Sequence, residues 1–349
     1  MEPKAIPFEQ IVRDAWYNYD HTRPIQKIED ISAKVSTNHV YRIRLASKHF
    51  VIAKLSFFGN FEHFKEDHKI INALSNNLPA PYENFLARAL IHRDKLFVYR
   101  YQKDGLDIWV IFYRPIRIKK KLPRRLDEAT IVSMAKEIAH FHEACASVVS
   151  TLPNSSKSTL TDVVDLIRLL QKPDDPLMIG DQRDHVLAEC DTYLKFYISY
   201  QKYGIQAIPV FIDWNIGNFS VTSSMRFFSR WDYDWFRMSS RMLDFYFFSR
   251  IVSNVGDRTV FTYNANTLME DRFMLFLKSY HEVSPLKEYE IDMMPYAYQF
   301  FLLNYVIKYG SYFFSQPYAK KLKDEALSIH LPSIKKSIDT NKIKNLVGI

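Results

Sequence analysis

Apolar and polar residues alternate with period two in Val40-Tyr41-Arg42-Ile43-Arg44-Leu45, with Tyr41, Ile43 and Leu45 on one side and Arg42 and Arg44 on the other. That period predicts a strand with one wet face. Ala46 to His49 reads as a turn, and Phe50 to Leu55 as a second strand rich in β-branched residues. Lys54 sits inside this apolar strand, where a lysine is costly unless paired. Upstream, Phe8, Ile11, Val12, Ala15 and Trp16 recur at helical spacing, and the pattern breaks by Pro24. Residues 61–75 predict a helix carrying Glu62 and Glu66. Phe85–Ala89 and Leu96–Tyr101 read as a hairpin around His92 to Lys95. The polar Gln102-Lys103-Asp104-Gly105 break places the expected lobe boundary, giving 1–101 and 102–349. Beyond it, Ile131, Met134, Ala135, Ile138, Phe141 and Cys145 mark an amphipathic helix over 127–145. A serine-rich loop at 154–158 follows, then helices near 160–171 and 183–202. Short strand signals return over 208–234, and from Met242 the pattern is nearly all helical. The expectation is an α+β chain: a strand-rich small lobe, then a mostly helical lobe with a strand pair in its middle.

Composition narrows the chemistry. Of 349 residues only 8 are glycine, and neither G-x-G nor G-x-x-x-x-G-K occurs, which excludes a Rossmann fingerprint and a Walker A loop. Two cysteines, Cys145 and Cys190, cannot make a disulfide framework or a cysteine zinc site. The absence of a basic-then-apolar leader and the sparse thiols lead to an expected cytoplasmic location. Phe300 to Phe314 is the most apolar late stretch. It contains Asn304 and Lys308, is shorter than a bilayer span and reads as a buried helix, so no membrane association is expected. The net charge is +8, and seven basic residues fall between Arg114 and Arg125 with no acid among them. Only Tyr113 offers an aromatic ring beside that run, so it reads as a solvated face and not as a nucleic-acid site.

Candidate chemistry concentrates in Asp213-Trp214-Asn215-Ile216-Gly217-Asn218 and in Trp231-Asp232-Tyr233-Asp234. Asp213 and Asn218 lie five apart across a loop. Asn218 opens one short strand and Asp232 closes the next. A hairpin turning at 222–225 brings the two ends level, so three oxygen-bearing side chains converge. Mg²⁺ favours such hard oxygen ligands, few of them from protein and the rest from phosphate and water.

The D-x-x-x-x-N, hairpin and D-x-D order resembles the catalytic core of the aminoglycoside phosphotransferase and choline kinase-like superfamily, the small-molecule relatives of protein kinases. Lys54 in a small-lobe strand, Glu66 on the next helix and the Ala139-His140-Phe141-His142 helix end fit the same order, over roughly residues 30–255. The resemblance implies a protein-kinase-like two-lobed fold with a small antiparallel-sheet N-lobe and a mostly helical C-lobe. It implies ATP and Mg²⁺ as cofactors. The γ-phosphoryl group would pass to a hydroxyl of a small molecule: an amino alcohol, amino acid, sugar or aminoglycoside-like acceptor. Asp213 then matches the catalytic aspartate, and Asn218 and Asp232 the Mg²⁺ ligands. Lys54 matches the phosphate-contacting lysine and Glu66 its ion-pair partner, with Glu62 as the alternative one turn earlier. Ser36-Thr37-Asn38 falls at the phosphate-covering turn, and residues 99–103, with Tyr99 and Tyr101, at the hinge that holds adenine.

Two departures stand out. Phe211 occupies the position where the family usually has histidine, and the phosphate turn has no glycine, which restricts approach of its amides. Both support an alternative: a catalytically silent kinase-like protein that binds nucleotide or a partner protein.

Other features read more simply. His92-Arg93-Asp94 imitates a kinase triplet, but Tyr99, not asparagine, follows Asp94 by five, so it reads as a turn. His140 and His142 point apart on their helix and cannot chelate one ion. Arg241 and Asp244 are expected as a buried ion pair. Asp234 is expected either to support the metal site or to approach phosphate. Glu288, Glu290 and Asp292 read as a solvated acidic face that could receive an amine.

Overall fold

The computed structural model describes residues 6–33, 39–57, 59–103, 105–257 and 262–349. Its first lobe is built on an antiparallel sheet of five strands: β1 (Ile25–Asp30), β2 (His39–Leu45), β3 (Phe50–Ser56), β6 (Val98–Lys103) and β7 (Leu106–Tyr113). Their spatial order is β1-β2-β3-β7-β6. The period-two reading of β2 holds: Tyr41, Ile43 and Leu45 are buried while Arg42 and Arg44 are exposed. On that buried face lies helix α1 (Phe8–Asp20), which contributes Ile11, Val12, Ala15 and Trp16 to a separate small core. The opposite face receives helix α2 (Phe61–Asn77), capped by Asn60, whose side chain accepts the N–H groups of Glu62 and His63.

β7 is the strand that the sequence pattern does not mark. It hydrogen-bonds to β3 on one side and to β6 on the other. Ile108, Val110 and Phe112 face the α1 core, while Trp109, Ile111 and Tyr113 join the core shared with α2 and the helical lobe. A strand buried on both faces shows no polar alternation, so its run of apolar residues hides its period. The boundary expected after residue 101 therefore falls inside the sheet, and the chain leaves the first lobe only past Tyr113. The hairpin expected over 85–101 is also redrawn. Its paired part is the two-residue ladder of β4 (Ile91–His92) and β5 (Lys95–Leu96), closed by Arg93 and Asp94 at positive φ. His92-Arg93-Asp94 is thus a turn.

From Arg114 the chain runs over the central hairpin, where Lys120 and Val221 exchange backbone hydrogen bonds of 3.0 and 2.9 Å. It then enters α3 (Glu128–Ser147), capped by Asp127. Helices α4 (Thr159–Leu170) and α5 (Arg183–Tyr200) follow, then β8 (Ile208–Val210), β9 (Phe219–Val221), β10 (Phe227–Arg230) and β11 (Arg237–Ser239). Next come α6 (Met242–Val252), α7 (Asp271–His281), α8 (Glu288–Phe301) and short helical segments to Val347. Leu302–Lys308 is a π-helical continuation of α8, with every residue buried. No helix among the described residues is long and apolar enough to cross a membrane. The whole is a two-lobed, protein-kinase-like α+β fold.

Candidate active site

Two short ladders present the site. β8 pairs antiparallel with β11 and β9 with β10, the latter through Val221↔Phe227, Ser220↔Ser229 and Phe219↔Arg230. Beyond the second ladder, the Trp231 N–H donates to the Asn218 carbonyl at 3.0 Å, so the hairpin brings its two ends level. Between β8 and β9 the chain makes the loop that carries Asp213. Ile212 sits there at φ +60, where a β-branched residue is strained.

That loop is fastened from below. Asp244, fully buried on α6, accepts the N–H groups of Phe211 (3.0 Å) and Ile212 (2.6 Å) on Oδ1. Its Oδ2 lies 3.0 Å from His142 Nε2, and His142 Nδ1 lies 2.8 Å from the Tyr280 hydroxyl. Because the carboxylate only accepts, His142 donates through Nε2 and accepts the Tyr280 hydroxyl proton on Nδ1. Burial lowers the pKa of His142, which keeps the imidazole neutral there. Asp244 is thus a backbone clamp and not the partner of Arg241. Arg241 instead forms a two-pronged pair with Glu290 at 2.8 and 2.7 Å. Asp257 adds a second fastening, accepting the Ile216 N–H at 3.0 Å.

Asp213 is held by amides. Its Oδ1 accepts the side chain of Asn215 (2.6 Å), and its Oδ2 accepts Asn218 Nδ2 (2.9 Å). Burial, then the negative charge of Asp232, push its carboxyl up to about 7. Asp232 lies beside it at φ +67. The Lys54 ammonium bridges Asp232 Oδ1 and Asp234 Oδ1, each at 2.7 Å. Burial alone would raise the Asp232 carboxyl, but the adjacent ammonium outweighs it and holds the group below the usual range. The same pairing reverses the effect of burial on Lys54 and raises its pKa.

The residues fit a hard divalent cation. Asn218 gives its amide nitrogen to Asp213, which leaves its oxygen for a ligand. Asp232 gives one oxygen to Lys54, which leaves the other. Among the described residues no three histidine, cysteine or acidic side chains gather as a metal set. A cation here would therefore take much of its shell from phosphate and water, as Mg²⁺ does.

Asp213, Asn218, Asp232 and Lys54 thus converge, with Asp234 completing the lysine's cradle. Glu66 does not join them. It accepts the Ser156 N–H at 2.6 Å and braces the loop before α4. Glu62 is exposed and 4.0 Å from Lys65, so neither glutamate pairs with Lys54, because the D-x-D carboxylates already hold that ammonium. Tyr99 and Tyr101 lie on edge strand β6 and pack against the α1-side core, so the hinge expected at 99–103 is an outer strand. Ser36, Thr37 and Asn38 lie outside the described residues. In the acidic cluster, Glu290 is engaged by Arg241, and Glu288 and Asp292 by Lys344 at 3.0 and 2.8 Å.

One member of the site has no counterpart in the sequence reading. Arg230, fully buried at the end of β10, donates from Nη2 to the Asp213 carbonyl at 2.9 Å. Its guanidinium lies 4.6 Å from the Phe211 ring centre and 4.3 Å from that of Trp214. Its positive charge lowers the Asp213 pKa against burial. The signal was available: a lone charge inside Phe227-Phe228-Ser229-Arg230-Trp231 is as costly unpaired as Lys54 in its strand.

The fold is a kinase-like two-lobed architecture of the kind found in small-molecule phosphotransferases. No protein-family model matches the chain, and no curated protein matches it. Solved structures do. An amicoumacin kinase in complex with AMP-PNP, Ca²⁺ and Ami superposes with a TM-score of 0.64 at 12% identity, covering 96% of this chain and 97% of that one. An ADP-bound aminoglycoside phosphotransferase APH(2'')-Ib gives 0.53 at 14%, over 92% and 98%. The choline kinase LicA from Streptococcus pneumoniae gives 0.53 at 13%, over 93% and 99%. The chain therefore shares the fold of the aminoglycoside phosphotransferase and choline kinase-like superfamily along nearly its whole length.

Proposed function

We propose that this chain is an ATP- and Mg²⁺-dependent phosphotransferase that moves the γ-phosphoryl group to a hydroxyl of a small molecule. The observation that carries the reading is the meeting of Asp213, Asn218 and Asp232 with the Lys54 ammonium, from sequence positions up to 178 residues apart. Mg²⁺, when bound, would neutralise charge on the nucleotide's terminal phosphates. Asn218 and Asp232 are the residues that would hold it. Lys54, lodged over Asp232 and Asp234, is the cation that would meet the phosphates. Asp213 would accept the proton of the acceptor hydroxyl at its carboxylate. A carboxyl at about 7 suits that task, because a base works best near the ambient pH. Phosphoryl transfer asks little more of a protein than positioning and charge neutralisation.

Phe211 in place of histidine favours the second reading, a silent protein that binds nucleotide. A screen of hydroxylated metabolites with labelled ATP, run beside nucleotide-binding calorimetry, separates the two. Turnover on an acceptor, abolished in Asp213→Asn while nucleotide binding persists, supports the enzyme. Mg²⁺-dependent nucleotide binding without turnover on any acceptor supports the silent form.

A further inference from the structure

An open cavity of about 560 Å³ lies beside β10. Phe228, Leu86 and Ile116 give it an apolar wall. Three arginines share the lining: Arg88, from the segment after α2, and Arg114 and Arg117, from the stretch that leaves β7. No acidic residue among the described ones lines it, and neither does Lys54, Asp213, Asn218, Asp232 or Asp234. The basic run from Arg114 to Arg125 therefore divides. All seven of its basic residues are exposed, but the first two border a recess.

The charges of this recess differ from those elsewhere in the chain. Buried cations meet carboxylates: Lys54 meets Asp232 and Asp234, Lys157 meets Asp67, and Arg237 meets Asp162. Arg88 meets none. It donates from Nη1 to Asn76 Oδ1 at 2.7 Å, and from Nη2 to the carbonyls of Ser75 at 2.7 Å and Glu83 at 3.0 Å. Three neutral oxygens thus fix its guanidinium and leave its charge unbalanced. Arg114 is set beside it in the backbone, its N–H donating to the Arg88 carbonyl at 2.9 Å. Neither Arg114 nor Arg117 forms an ion pair among the described residues. The next cation along, Lys119, also has a neutral neighbour, the Phe228 ring at 4.3 Å.

Three positive charges around one concavity repel each other, and an anion among them removes that cost. A recess with low-dielectric walls focuses such a field. Charges act there over about 8 Å at physiological ionic strength, so the anion need not touch all three. A single carboxylate balances one charge of the three. Two or more phosphate or carboxylate groups balance most of them, and the planar fork of arginine matches both kinds of oxygen.

We infer that this cavity is a binding site for a small polyanion carrying two or more phosphate or carboxylate groups, separate from the proposed nucleotide cleft. It does not rest on the phosphotransferase reading, and a chain without turnover on any acceptor keeps it.

The test is calorimetry without nucleotide, with pyrophosphate, tripolyphosphate and citrate as probes in low and in physiological chloride salt. The wild-type chain binds at least one probe, more weakly at the higher salt. Pyrophosphate against citrate tells which oxygen chemistry the site prefers. The double variant Arg114→Gln, Arg117→Gln weakens that binding about tenfold or more, because it removes two of the three charges. Lys335→Gln, Lys336→Gln removes the same charge from exposed positions near the C-terminus and changes the affinity less than twofold. Circular dichroism confirms that each variant is folded. Arg117→Glu, a single change at an exposed position, also weakens binding about tenfold and decides the matter if the double variant does not fold. No binding of any probe overturns the inference. So does an equal loss in both double variants, which would make net charge the cause. Binding that survives both Arg117→Glu and the arginine double variant also overturns it, since the anion would then sit elsewhere, the Lys54 cleft included.

Discussion

Replacing Asp213 with asparagine should stabilise the protein above neutral pH while removing the proposed catalytic base. The Asp213 carboxyl stands at about 7 in the folded chain against an ordinary 3.8, because it is buried and lies beside the negative Asp232. Three pKa units at about 1.4 kcal/mol each give about 4 kcal/mol. The sign follows from proton counting. Between pH 4 and 7 the folded state keeps a proton that the unfolded chain has released, so stability falls as pH rises through that window. Below pH 4 both states are protonated and the cost vanishes. Asparagine never ionises, so the variant escapes the loss. Asp213 is only partly buried by its surface exposure, which makes 4 kcal/mol a ceiling, and one amide contact must be rearranged. A gain of about 1–3 kcal/mol at pH 8 is expected, which for a chain of this length is roughly 1–4 °C in melting temperature. Urea melts of both proteins at pH 4 and pH 8 measure it. If the variant is no more stable at pH 8, or its advantage is the same at both pH values, Asp213 is not an ionised group held at a cost and the base assignment loses its support.

Lys54→Met should strand two carboxylates. Asp234 is 8% exposed and Asp232 37%, so the loss belongs near the lower end of the ~3–5 kcal/mol typical of a broken buried pair. Nucleotide affinity should fall by about an order of magnitude or more in calorimetry, which the Coulombic contact to phosphate supplies. Glu66→Gln should change nucleotide affinity less than about twofold, because that side chain holds the Ser156 N–H and a neutral amide oxygen accepts it too. A large loss of affinity in Glu66→Gln would return the residue to the lysine.

What could be read from the chain was what depends on neighbours in sequence. Asp213 and Asn218 share one loop, and the return of the β9–β10 hairpin places Asp232 beside them, so three positions and one turn suffice. β2 and β3 were legible because one face of β2 is wet. β7 was not, because both of its faces are dry and its alternation carries no polarity. That one strand moves the lobe boundary and, with it, the hinge. Glu66 was misplaced for another reason. Helical spacing offers several acids to Lys54, and the choice is made by Asp232 and Asp234 arriving from the other lobe. The Asp244 clamp and the Lys157–Asp67 pair likewise depend on distant contacts that no local pattern encodes.

Phe211 was the strongest sequence argument against the proposed activity, and Arg230 offers the loop a substitute for the missing histidine. A phenylalanine cannot donate a hydrogen bond to the loop, whereas the histidine expected there could. The guanidinium supplies one instead, to the Asp213 carbonyl at 2.9 Å, and it lies 4.6 Å from the centre of the Phe211 ring. Arg230→Met should therefore loosen the loop and remove the positive charge that lowers the Asp213 pKa. Turnover should fall about a hundredfold, equivalent to roughly 2.7 kcal/mol of transition-state stabilisation. The KM for ATP should change little. The acid limb of the pH–rate profile should move to higher pH, and Arg230→Lys should move it less. Phe211→His alone should gain nothing, since Arg230 already donates a hydrogen bond to the loop. In the Arg230→Met background the same change should recover part of the lost rate. A carboxyl NMR titration of Asp213 reads the pKa shift even in a chain without turnover. An unmoved titration in Arg230→Met would show that the arginine fills space and does not tune the base.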